Sequence, residues 1–142
     1  MPLYIHKKNF NIIGGYGNYS KSAIREEYCF EVNELIAKPI QILNRKGYFT
    51  GGCCAGHPFV IPVKTHYNLE QAHHSSITFK EGISLPSLPP GFVVRKHDGE
   101  MLCIDKWYDT NNEHKCLRDI FETMEILHKW AYSLPDFKVK ID

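Results

Sequence analysis

Residues 51–57 read Gly-Gly-Cys-Cys-Ala-Gly-His and pack three glycines, two adjacent cysteines and a histidine into seven positions. Gly51, Gly52 and Gly56 allow positive φ and a close approach of backbone to ligand. Small residues in succession leave backbone N–H groups free to form an anion-binding nest. A cysteine is a nucleophile as its thiolate, and a nearby imidazole lowers its pKa and shares its proton. Cys54 is therefore the candidate nucleophile and His57 its base. The same side chains suit zinc: Cys53 or Cys54 with His57 gives two ligands, and His66, His73 and His74 could complete a set. No Cys-x-x-Cys pair is present and the spacing is not a standard zinc spacing, so no metal and no cofactor is assigned. The plainest alternative is a tight turn with one cysteine in the core. The reading preferred from the residues is a pocket built on Gly51, Gly52, Cys53, Cys54, Gly56 and His57, with Tyr48 or Trp107 stacking on a flat ligand group.

Other candidates are weaker. Gly14-Gly15-Tyr16-Gly17 followed by Ser20, Lys21 and Ser22 invites comparison with a phosphate loop, but lacks the Gly-Lys-Ser/Thr ending. Lys7-Lys8, Arg45-Lys46 and Arg95-Lys96 are isolated pairs rather than a basic stripe with interleaved aromatics, so nucleic-acid binding draws no specific support.

The elements that would position this segment follow from patterning. Leu3 to Ile5 and Phe10 to Ile13 read as short strands. Val32, Leu35, Ile36, Ile40 and Leu43 recur at helical spacing and predict a helix over 26–46, closed by Gly47. Pro39 must either kink it or open a second helix. Tyr48 to Thr50 reads as a strand entering a loop at 51–57. Phe59 to Val63 is a further short strand candidate, and residues 66–74 read as a loop. Ser76 to Phe79 alternates like a strand. Residues 84–91, with three prolines, exclude a regular element. Phe92 to Arg95 and Met101 to Trp107 predict a hairpin about Asp98-Gly99. A last helix over 112–133 carries Leu117, Ile120, Met124, Leu127 and Ala131 on one stripe, with Thr110 and Glu113 as a capping box. The order predicts a single α+β domain over 1–142, a mainly antiparallel sheet packed by two principal helices.

Composition sets the outer bounds. The chain has 142 residues, 43% of them apolar and 13% aromatic, with a net charge of +1. These values exclude disorder, an acidic tail and a strongly basic nucleic-acid glue. His6, Lys7 and Lys8 interrupt any leader-like apolar run, no membrane-length stretch exists, and five cysteines make an odd set. A cytoplasmic protein with free thiols is expected, its oligomeric state left open.

Residues 31–57 resemble a group of small uncharacterised bacterial and phage proteins. The match is carried by Lys38, Pro39, Ile40, Leu43, Asn44, Lys46, Gly47, Tyr48, Thr50, Cys54, Gly56 and His57. Ile77 to Lys80, Leu88 to Phe92, Trp130-Ala131 and Leu134-Pro135 extend it. The resemblance implies a phage or mobile-element setting and no particular activity. Thr50, Cys54 and Gly56 also resemble the Thr-x-Ser-Cys-Ser-Gly-Arg loop of tRNA wybutosine-synthesising methyltransferases. His57 stands where those enzymes have arginine, and Gly51-Gly52 replace the hydroxyl-rich lead-in. That similarity implies a ligand-binding strand-loop-strand rather than methyl transfer.

Taken together, the sequence predicts a protein that binds a small anionic or nucleotide-like molecule through residues 51–57. The alternatives are a Cys54/His57 or metal-dependent enzyme, and a structural or interaction protein in which the segment is only a turn.

Overall fold

A computed structural model describes residues 2–13, 28–56, 74–96, 101–109 and 113–138. The fold is α+β, with two antiparallel sheets instead of one. The first contains β1 (Pro2–His6), β2 (Ile12–Ile13) and β3 (Cys29–Asn33) in the order β2-β1-β3. The second contains β4 (Thr50–Cys54), β5 (His74–Phe79), β6 (Val93–Lys96) and β7 (Leu102–Trp107) in the order β4-β5-β7-β6. Two helices, α1 (Ala37–Arg45) and α2 (Glu113–Ser133), pack on each other and share the core.

The expected helix over 26–46 is half strand. Cys29 to Asn33 pairs along its whole length with β1, from Pro2↔Asn33 to His6↔Cys29. Here sheet pairing overrides a helical spacing that Val32, Leu35 and Ile36 satisfy by coincidence. Asn33 ends the strand: its side-chain oxygen accepts from Leu35 N–H at 2.9 Å and its carbonyl from Ile36 N–H at 3.1 Å. Helix α1 then begins at Ala37, which puts Pro39 in the first turn. A proline costs nothing in hydrogen bonding there, because that N–H has no partner within the helix.

Gly47, with φ of +95°, ends α1. Its N–H bonds to Asn44 O and Tyr48 N–H bonds to Leu43 O, at 3.0 and 2.9 Å, which is a Schellman closure. Lys46 then reaches the end of α2. Its ammonium donates to the carbonyls of Ala131, Tyr132 and Leu134 at 3.0, 2.5 and 2.6 Å. All three of its protons are used on the negative end of that helix. Tyr48 is 1% exposed and its hydroxyl donates to Pro135 O at 2.7 Å.

Strand alternation gives the second sheet two faces. Ser75, Ile77, Phe79 and Ile104 are buried, the last three in the core cluster that contains Cys116, Ile120 and Leu127 of α2. The opposite face carries Thr78, Cys103, Asp105 and Trp107. Expected strands at the N-terminus, at 76–79, at 92–95 and at 101–107 are present, and 84–91 is irregular. Helix α2 follows the expected span, although Leu117 is exposed. The glycine-rich segment 14–17, the strand candidate 59–63, the hairpin turn at 98–99 and Thr110 lie outside the described residues. No helix among the described residues is long and apolar enough to cross a membrane.

Candidate functional site

The segment expected to be a loop is the edge strand of the second sheet. Thr50 to Cys54 form β4, paired with β5, and among the described residues Ala55 and Gly56 of the segment are irregular. The pairing shifts between Thr50↔Phe79 and Gly52↔Thr78, which leaves Gly51 as a bulge residue. The start of β4 is clamped by Asn44: its amide donates to Thr50 Oγ1 at 3.0 Å, and its carbonyl oxygen accepts from Thr50 N–H at 3.2 Å.

Beside β4 lies a cavity of about 600 Å³, lined by Gly51, Gly52 and Cys53 on one wall and by Phe30 and Glu31 of β3 on another. Lys7, Lys8 and Phe10 enter it from the β1–β2 turn, with Phe49 and Lys80 at the rim. Two sheet edges thus bound one cavity, since β3 and β4 are both terminal strands among the described residues. Three lysines and one glutamate give its described lining a net positive charge, and three phenylalanines give it flat apolar surface.

One stripe of α1 holds the parts in register. Gln41, Asn44 and Arg45 are three and four residues apart and share a helix face. Asn44 fixes β4, as above. Gln41, 6% exposed, donates to Phe10 O at 2.9 Å. Arg45 donates to the side chain of Asn11 at 2.8 Å. The turn they hold is strained: Phe10 has φ of +60°, a left-handed conformation that a bulky side chain rarely adopts. Such outliers persist where the surroundings over-determine them, and they cluster at functional sites. The Phe10 ring lies 6.1 Å from that of Phe49.

The expected site residues divide. Gly51, Gly52 and Cys53 line the cavity. Cys54 lies on the other side of the strand from Cys53, paired with Ser76. Gly56, with φ of +101°, sits near Ser75, Tyr108 and Ile120. Ser75 there donates to Ala55 O at 2.7 Å and bonds the Tyr108 hydroxyl at 2.6 Å. Tyr48 is packed against Phe137 in the core, so its ring has no free face to offer. Trp107 is half-exposed on the outer face of the second sheet, 4.5 Å from the His74 ring, and does not line the cavity. His57, His66 and His73 lie outside the described residues, and so does any pairing of His57 with Cys54. Among the described residues no three of histidine, cysteine, aspartate and glutamate gather to hold a metal ion.

Burial pushes the Cys53 thiol up to about 12, and the adjacent Cys54 adds to the shift. Cys53 is thus a neutral side chain of the cavity wall rather than a nucleophile. Iodoacetamide at pH 8 is expected to alkylate Cys53 at least about 100-fold more slowly than free cysteine, because so little thiolate is present. Peptide mapping of a time course checks this, and alkylation at the free-thiol rate would show an activated thiol.

The lysine and phenylalanine lining was missed in the sequence because it converges from four separate segments. The available signal was Lys7-Lys8-Asn9-Phe10, a basic pair two residues from an aromatic, read only as an isolated charge pair. No family model matches the chain, and no curated protein or solved structure matches it either.

Proposed function

We propose that the protein binds a small anionic molecule carrying a flat ring, held in the cavity between β3 and β4. The carrying observation is the lining itself, with Lys7, Lys8 and Lys80 around Phe10, Phe30 and Phe49 against a strand edge of two glycines. Lysines supply point charges for a phosphate or carboxylate. Phenylalanine faces supply stacking surface, and about 600 Å³ is the size of an ordinary small-ligand pocket. The Gln41 and Arg45 bonds keep the turn in place before any ligand arrives, which lowers the ordering cost of binding.

The test is calorimetric titration of the full chain with phenyl phosphate and 1-naphthyl phosphate at low and high salt. Binding is expected, weaker at high salt. The double substitution Lys8→Ala with Lys80→Ala is expected to lower affinity about tenfold, equivalent to about 1.4 kcal/mol, with little change in melting temperature. No binding by either compound, or binding indifferent to both lysines, would refute the reading.

A further inference from the structure

The cavity has one feature that an anion alone does not require, namely a stretch of sheet edge without side chains. In an antiparallel strand, alternate residues turn both N–H and C=O away from the paired neighbour. Strand β4 is terminal among the described residues, and Gly51, Gly52 and Cys53 line the cavity. Neither glycine is demanded by the backbone or by packing. Among the described residues, a Cβ at Gly51 would meet only Thr78 O, at 3.8 Å, and one at Gly52 would meet nothing within 4 Å. Glycine in a strand interior weakens the strand and marks a place where something approaches the backbone closely.

We propose that the flat group is a nucleobase, whose hydrogen-bonding edge pairs with the N–H and C=O of the outer edge of β4 while the lysines hold its phosphate. This rests on the small-anion reading above. The outward N–H and C=O of one strand residue form an adjacent donor and acceptor, the pattern that the pairing edge of a base presents in return. Ring faces stack on the phenylalanines, which are indifferent to base identity. Discrimination therefore falls to the backbone edge.

Glu31 agrees with this arrangement. A carboxylate in a basic cavity repels phosphate, so it must face a part of the ligand that carries donors. Lys7 N–H bonds to Tyr28 O at 2.7 Å, and Glu31 lies three residues further along the same chain segment. At extended-chain rise that is about 10 Å from the lysine turn. A nucleoside phosphate has this layout, with phosphate at one end and ribose hydroxyls and base beyond it.

The experiment is calorimetry of the full chain with AMP, GMP, CMP, UMP, ribose 5-phosphate and phenyl phosphate. The best nucleotide is then repeated with its pairing edge N-methylated. At least one nucleotide is expected to bind tenfold or more tightly than ribose 5-phosphate, with methylation costing a further tenfold or more. A free nucleotide and the end of a nucleic-acid strand share this chemistry. Equal affinity for a 5′-phosphorylated trinucleotide identifies the former and a tenfold gain the latter, and either supports the proposal. Equal binding of parent and methylated base overturns it and leaves the small-anion reading intact. So does binding of phenyl phosphate with no nucleotide bound. Failure of every compound overturns both.

Discussion

Arg95→Ala should lower the melting temperature by roughly 5 °C, the effect of about 1.5 kcal/mol in a domain of this size, a loss moderated because the Arg95 side chain is 43% exposed. Asp105 is 1% exposed, and the Arg95 guanidinium lies 2.5 Å from one of its oxygens and 3.4 Å from the other. Cys103, fully buried beside it, adds a thiol contact to the same carboxylate at 3.5 Å. Burial holds that thiol above its usual pKa, so it is present as a donor. Among the described residues, removing the arginine leaves the Asp105 carboxylate with the Cys103 thiol and with whatever water enters where the 43% exposed arginine stood. The cost is that of an uncompensated buried ion, larger than the net worth of the pair itself. Asp105→Asn in the Arg95→Ala background should recover much of the loss, since a neutral amide is far cheaper to bury. Thermal unfolding of the native chain and the two variants decides it. A melting temperature unchanged in Arg95→Ala would mean that the carboxylate has another sufficient partner.

This ion pair and the cavity sit on different parts of the fold, and they differ in how far the sequence announces them. Local signals were legible. The three prolines in 84–91, the apolar stripe of α2 and the alternation at 76–79 each depend on residues within a few positions. Pairings that join distant segments were not. Cys29 to Val32 satisfies a helical pattern until β1 is present to pair with it. Asp105 and Arg95 are ten residues apart, and only the β6–β7 register makes them neighbours.

The candidate site shows the same division. Residues 44–50, which lead into the 51–57 segment and carry part of the resemblance, are largely explained by a joint. Asn44 clamps Thr50, Lys46 closes the end of α2, Gly47 closes α1, and Tyr48 ties down Pro135. That joint places β4, but it is not itself the cavity. Cys54, the residue most open to a catalytic reading, lies on the strand side away from the cavity-lining Cys53. What the cavity adds is Lys7, Lys8, Phe10, Phe30, Phe49 and Lys80, drawn from four stretches of chain. No spacing rule connects such residues, because their proximity is a property of two sheets meeting.

The double variant Gly51→Val with Gly52→Val separates folding from binding and carries the largest expected change in affinity. Valine suits a strand and glycine does not, so the substitutions should leave stability unchanged or raise it by up to about 1 kcal/mol. Neither glycine has a left-handed φ, and among the described residues neither Cβ meets an atom closer than 3.8 Å. Gly51 is the bulge residue and Gly52 pairs with Thr78, so the two valines would set side chains beside the stretch of β4 that lines the cavity. A ligand that must reach that edge would then be excluded. Affinity for the best-binding nucleoside monophosphate is expected to fall at least about 100-fold, or about 2.7 kcal/mol, while the melting temperature holds or rises. A fall in melting temperature would make the glycines structural after all. Full affinity in a stable variant would place the ligand away from β4 and dismiss the cavity as its site. Lost affinity in a stable variant is the outcome that only a binding role for this edge accounts for, because a strand strengthened at two positions has no other reason to lose its ligand.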